Sequence, residues 1–128
     1  MKKLVLSLKR KFSKEEKTVK KILNKLDHLL GLKDKYVEVY LVGDSFMKKN
    51  VLSFPAPEGF PRPDLRGCKS LGEIYLNPKY IKEHDEDLGY MLVHGLLHLL
   101  GYDHKTKSDR IKMERKEQEI WHKMQFSV

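Results

Sequence analysis

Three histidines in one short segment are the residues of this chain best suited to chemistry. The segment runs from His94 to His104 and reads HGLLHLLGYDH. His94 and His98 are four residues apart, so on a helix of about 3.6 residues per turn their imidazoles project from the same face. His104 follows after Gly101, which can adopt the left-handed conformation that ends a helix and reverses the chain. The spacing therefore predicts three nitrogen ligands around one metal ion.

Three imidazole ligands favour metal-dependent hydrolysis. A zinc ion with three protein ligands keeps a fourth position for water, lowers the pKa of that water toward about 7, and can polarise a phosphoryl oxygen. The spacing HxxxHxxGxxH is that of metzincin peptidases, whose motif has a Glu as general base directly after the first His. Here that residue is Gly95, which argues against peptide hydrolysis. The alternative to a metal site is a chance placement of histidines among helical leucines.

The same histidine segment, preceded by Asn50-Val-Leu-Ser-Phe-Pro55 and Leu71-Gly-Glu-Ile74, resembles the YbeY family of bacterial endoribonucleases. The resemblance implies a zinc-dependent, single-strand-specific endoribonuclease of the cytoplasm, with one Zn²⁺ per chain held by His94, His98 and His104. It also implies a substrate in ribosomal RNA, a role in maturing the 3′ end of the small-subunit RNA and in ribosome quality control, and the ribosome or its proteins as partners.

The chain departs from this family before the Val-Leu-Ser-Phe strand. Family members usually carry a longer segment there, including an Arg thought to act in catalysis. In this chain the segment, residues 42–50, is short and contains no Arg. Lys48 or Lys49 from this segment, or Arg62 or Arg66 from the following loop, could take that role. We expect Arg62 and Arg66 to act in catalysis.

Asp103 lies next to His104 and, with His94, completes the expected catalytic set. Its carboxylate could orient a ligand imidazole or accept a proton. Alternatively, Asp103 is a turn residue that hydrogen-bonds to its own backbone, as Asp often does.

Composition predicts one domain over residues 1–128, long enough to bury about 65–70% of its unfolded surface. The single Cys68 cannot form an internal disulfide, which suits the reducing cytoplasm, and we do not expect it to be a fourth metal ligand. The apolar run before Lys9 is too short for a signal peptide, and no run approaches the roughly 18 apolar residues of a membrane span. We therefore expect a cytoplasmic protein with no membrane partner.

The formal net charge of +8 is concentrated near the amino terminus. Residues 1–35 contain 12 Lys or Arg against 4 Asp or Glu, and the remaining residues are balanced. Such a segment could bind RNA phosphates through counterion release. It could equally be the solvated, ion-paired surface of a thermophilic protein.

The hydrophobic pattern predicts an α+β fold, in which helices pack on a four-stranded mixed sheet and one of them carries the metal ligands. Ser13 and Glu16 indicate a capping box that opens a helix ending at Gly31. The loop 55–70 contains four of the five prolines together with Phe60, Arg62 and Arg66. It could stack a base and hold a phosphate of single-stranded RNA, or it could be a stiff connector. The predicted strands lie at residues 4–8, 37–41, 51–54 and 71–76, and a last helix follows Thr106.

Two other functions fit part of this pattern. A metallopeptidase-like hydrolase fits the ligand spacing but lacks the glutamate base. A non-catalytic module that contains zinc and docks on RNA or the ribosome fits the basic segment and the missing Arg.

Overall fold

The computed structural model of this chain describes residues 1–8, 11–57 and 68–126. It contains the predicted strands and long helices, and one short helix, α2, that the pattern did not predict. Inside the described ranges, no helix is both long and apolar enough to cross a membrane. The elements are β1 (Lys2–Ser7), α1 (Ser13–Leu30), β2 (Lys35–Leu41), β3 (Val51–Pro55), β4 (Lys69–Leu76), α2 (Pro78–Glu83), α3 (Leu88–Leu99) and α4 (Lys107–Phe126).

The four strands form one mixed sheet in the order β1-β2-β4-β3. β1 is parallel to β2 and β2 is parallel to β4, whereas β3 runs antiparallel to β4. Parallel neighbours need a long crossover connection, and α1 supplies it between β1 and β2. The predicted α+β fold with a four-stranded mixed sheet is confirmed.

The core lies between one face of the sheet and the helices α1 and α3, and α4 extends it by packing on these two helices. Alternate residues of the strands point to this layer, because successive side chains of a strand face opposite sides. Burying each large aliphatic side chain contributes roughly 1.5–3 kcal/mol, so this layer holds α3 firmly on the sheet. Its fully buried members include Val37, Val39, Leu41, Ile74 and Leu76 from the sheet and Leu23, Leu26, Leu92 and Leu96 from the helices.

The leucines of the first strand do not line this core. Val5 is the buried residue of β1, while Leu6 and Leu8 are 44% and 37% exposed. Leu6 is paired with Tyr40 of β2, which stacks on Tyr75 of β4 with ring centroids 5.1 Å apart. The leucine alternation therefore marks a strand correctly, but its leucines contribute to the face of the sheet opposite the core.

The predicted capping box at the start of α1 is wrong. The residue before the helix is Phe12, no side chain caps the first turn, and Ser13 is already helical. Glu16 instead accepts a hydrogen bond from the backbone N–H of Ser7 at 2.7 Å, which ties the first turn of α1 to the end of β1. The predicted end at Gly31 is confirmed, since that residue is left-handed with φ of 63°.

Gly72 allows β3 and β4 to approach closely. Its φ is 125°, and a Cβ at this position would lie 2.1 Å from the carbonyl oxygen of Phe54. The pairing of β2 with β4 shifts register between Tyr36 and Val37, opposite the same segment. Only a residue without a side chain fits here, because both the conformation and the space exclude a Cβ.

Candidate metal centre

Helix α3 carries His94 and His98, and its packing decides where they point. Asp87 caps the helix by accepting a hydrogen bond from the backbone N–H of Tyr90 at 3.0 Å. Gly95 faces the sheet, where an added Cβ would lie 3.0 Å from both Ile74 Cγ2 and Ser53 Oγ. The position that holds glutamate in the peptidase motif therefore lies tightly against the sheet, where even a Cβ would require its neighbours to shift.

The turn after α3 brings His104 back, as the sequence predicts. Gly101 has a φ of 102°, and its N–H donates to His98 O at 3.1 Å. The N–H of Tyr102 donates to Leu97 O at 3.0 Å, which closes the end of the helix. Such bonds across a left-handed residue reverse the chain.

The three imidazoles come together at one point. One ring nitrogen from each of His94, His98 and His104 lies within 4.8 Å of the other two. The Nε2 atoms of His94 and His98 are 3.2 Å apart. Two nitrogens bound to a tetrahedral zinc at about 2.0–2.1 Å would be about 3.3 Å apart, so this pair already fits the geometry. The cluster could hold a metal ion.

The environment keeps His98 in the form that binds metals. Burial lowers the pKa of His98, and the neighbouring His94 and His104 lower it further. A lowered pKa means that the imidazole is neutral near pH 7 and offers a nitrogen lone pair, which metal coordination requires.

Glu117 of α4 is a site residue that the sequence reasoning missed. Its carboxylate accepts hydrogen bonds from Nδ1 of His94 and from the hydroxyl of Tyr90, the latter at 3.0 Å. Burial acts to raise the pKa of Glu117, but the bonds from His94 and Tyr90 outweigh it and lower the pKa. Burial and the bond to Glu117 raise the pKa of Tyr90 to about 12, so its hydroxyl remains a donor. The sequence did contain a sign of this role, because Glu117 lies on the same helix face as the buried residues Met113, Ile120 and Met124. A charged residue on an apolar face needs a polar partner.

The histidines line a cleft of about 660 Å³ between α3, β3 and the turn after α3. Two exposed cations, Lys49 and Lys105, lie on its walls. Asp103 also lines it, and its Oδ1 accepts a hydrogen bond from the backbone N–H of Lys105 at 3.2 Å. That bond is the turn interaction that the sequence left as the alternative for Asp103.

Among the described residues, the remaining sequence candidates do not line this cleft. Lys48 does not line the cleft; its charge acts on Asp44, whose pKa is lowered chiefly by hydrogen bonds from Asn77 and Lys79. Phe60, Arg62 and Arg66 lie outside the described residues. Cys68 is partly buried and is not part of the histidine cluster. The remaining histidines, His28, His84 and His122, are exposed, and His84 stacks on Tyr80.

Comparison with known proteins identifies the family. The family model described as endoribonuclease YbeY matches residues 6–125. The endoribonuclease YbeY of Thermodesulfovibrio yellowstonii is 38% identical over 105 residues, which cover 66% of this chain and 64% of that protein. The endoribonuclease YbeY of Bartonella bacilliformis is 42% identical over 84 residues, which cover 59% of this chain and 51% of that protein. The chain thus spans less than two thirds of the length of these relatives.

A solved structure supports the same fold. The solution structure of TM1509 from Thermotoga maritima superimposes with a TM-score of 0.57 and 23% identity, covering 96% of this chain and 91% of that one. At this identity the likeness concerns the fold alone. The family match over residues 6–125 carries the assignment, and the three converging histidines agree with it. This chain belongs to the endoribonuclease YbeY family.

Proposed function

We propose that this chain is a metal-dependent endoribonuclease that cuts single-stranded RNA. The observation that carries the proposal is the convergence of His94, His98 and His104 on one wall of an open cleft that also presents Lys49 and Lys105. A metal ligand set beside cations suits an anionic phosphodiester better than a neutral peptide. The curated relatives bear the name endoribonuclease YbeY, which supports this choice of bond.

The histidines would hold one Zn²⁺ per chain through three nitrogens. When bound, zinc supplies a Lewis acid that polarises a phosphoryl oxygen and makes water more acidic. Lys49 and Lys105 would hold the phosphate and offset the charge that develops on it. Gly95 has no side chain that could act as a base, so we do not propose peptide hydrolysis.

The proposal also includes roles that we predict from the sequence and from the family resemblance. We assign catalytic roles to His94, Asp103, Arg62 and Arg66, and we treat residues 1–128 as one metal-dependent endoribonuclease domain. The proposed substrate is ribosomal RNA near the 3′ end of the small-subunit RNA, with the ribosome or its proteins as partners in the cytoplasm.

The basic segment gives additional support for an RNA substrate. All five lysines of α1 are exposed and can contact a phosphate backbone without disturbing the core. Counterion release makes such contacts favourable at low salt and weak at high salt. The exposed lysines are Lys14, Lys17, Lys20, Lys21 and Lys25.

A substrate panel tests the proposed function. Zinc-loaded protein is incubated with a single-stranded RNA, with the same RNA annealed to its complement, and with casein. We expect cleavage of the single strand, little cleavage of the duplex, and intact casein, because a flexible single strand can bend a phosphate toward the histidines whereas a duplex holds its backbone in a fixed helix. Cleavage of casein without cleavage of RNA would contradict the proposal and favour the peptidase.

A further inference from the structure

The carboxylate of Glu117 is buried in an otherwise apolar layer between α3 and α4. Glu117 is only 5% exposed. The same face of α4 carries the buried residues Met113, Ile120 and Met124. An unpaired carboxylate is strongly unfavourable in such a place, so its burial requires strong polar partners. The identity of those partners indicates what the carboxylate does.

Both partners of Glu117 come from α3. One carboxylate oxygen accepts from Nδ1 of His94, and the other accepts from the hydroxyl of Tyr90 at 3.0 Å. Tyr90 and His94 are four residues apart, so they project from the same face of the helix. Trp121 of α4 packs edge-on against Tyr90, with ring centroids 5.6 Å apart, and covers this side of the pair.

This arrangement selects one tautomer of His94. An ionised carboxylate only accepts hydrogen bonds, so the proton of the neutral imidazole must sit on Nδ1. The lone pair is then on Nε2, which lies 3.2 Å from Nε2 of His98 and faces the cluster. Without Glu117, a neutral imidazole is free to place its proton on Nε2, where it blocks a metal ion.

We propose that Glu117 is a positioning residue of the metal centre, which fixes the ring orientation and the Nδ1–H tautomer of His94, and that Tyr90 holds Glu117 in place. This inference rests on the proposed function only in that a metal ion binds to the three histidines. Glu117 itself does not touch the ion or the RNA. Comparable partners of metal-binding histidines typically change metal affinity by about 10- to 100-fold.

The affinity for zinc tests this role without any measurement of cleavage. Zinc binding is measured by competition with a chromophoric chelator for the wild-type protein and for Glu117→Ala, Glu117→Gln and Tyr90→Phe. We expect Glu117→Ala to lower the affinity by about 10- to 100-fold. Glu117→Gln should lower it less, because its amide oxygen can still accept from Nδ1–H. Tyr90→Phe should have the smallest effect of the three.

Glu114→Gln is the matched control. Glu114 is exposed and lies one turn before Glu117 on the same helix. Both glutamates line a small cavity of about 290 Å³ beside His94 and His104. We expect its zinc affinity to stay within about twofold of wild type, because only Glu117 accepts from the ligand imidazole. Equal losses in Glu114→Gln and Glu117→Gln would overturn the proposal, since they would reflect only the loss of a nearby negative charge.

The tautomer is observed directly in the metal-free protein. Long-range ¹H–¹⁵N NMR spectra distinguish Nδ1–H from Nε2–H imidazoles, and we expect Nδ1–H for His94 in the wild type and a mixture in Glu117→Gln. An Nε2–H tautomer in the wild-type protein, or unchanged zinc affinity in both Glu117 variants, would overturn the inference. Failure of the wild-type protein to bind zinc would instead overturn the proposed function, and the spectra would still decide the role of Glu117.

Discussion

Two kinds of residue beside the histidines support the proposal that the bond cleaved is an RNA phosphodiester and not a peptide bond. Gly95 occupies the position of the peptidase glutamate and lies close to Ser53 and Ile74, so this position supplies no carboxylate base. Lys49 and Lys105 place positive charge on the walls of the cleft. The absence of a carboxylate at Gly95 and the presence of two lysines favour a substrate with a negative charge at the bond to be broken.

The lysines of the cleft can be tested through the salt dependence of RNA binding. We expect Lys49→Ala and Lys105→Ala each to weaken binding of single-stranded RNA to the metal-free protein. Each should also reduce the slope of log affinity against log salt by up to about 1, because one phosphate contact is lost. Fluorescence anisotropy with a labelled oligonucleotide measures both quantities without cleavage.

Lys48→Ala serves as the control, because Lys48 is adjacent in sequence and equally exposed but does not line the cleft. It should bind RNA with nearly the wild-type salt slope. Identical behaviour of all three variants would show that these cations act only through the net charge. In that case Arg62 and Arg66 would remain the candidates for holding the phosphate.

At the scale of elements, sequence patterns predicted those features that depend on interactions between residues close together in the chain. The spacing of His94 and His98, and the left-handed Gly101, predicted the helix and the return of His104, because both depend on residues within a few positions. Glu117 was missed because its role depends on α4 packing against α3, a contact between residues far apart in the chain. The capping box failed for the same reason, since Glu16 bonds to Ser7 of the preceding strand.

The close pairing of β3 with β4 gives a prediction about Gly72. We expect Gly72→Ala to lower the free energy of unfolding by about 3 kcal/mol or more, because its Cβ would meet Phe54 O at 2.1 Å in a conformation that L-residues avoid. Urea denaturation of the metal-free protein measures the change.

Gly43→Ala is the matched control, since a Cβ there meets nothing within 4 Å and its φ is not positive. It should alter the free energy of unfolding by less than about 1 kcal/mol. Similar losses for the two variants would contradict the view that the tight β3–β4 approach requires glycine.

The whole molecule joins a histidine cluster at the end of α3 to a chain with a strongly basic amino-terminal quarter. Composition predicted this charge and its location, but not whether the lysines of α1 share a surface with the cleft, because that depends on how the helices pack. The sheet likewise could be predicted as mixed, whereas the exposure of Leu6 and the stacking of Tyr40 on Tyr75 could not. Alternation identifies the two faces of a strand without telling which one is covered.

The most direct test of the central claim combines metal content with RNA cleavage in wild-type protein and His98→Ala. Elemental analysis should find about one zinc per wild-type chain and almost none in the variant, because the central ligand is lost. Cleavage of single-stranded RNA should stop after chelation, return when zinc is restored to the wild type, and stay absent in His98→Ala. Cleavage that resists chelation, or persists at the wild-type rate in His98→Ala, would contradict a metal-dependent endoribonuclease built on these three histidines.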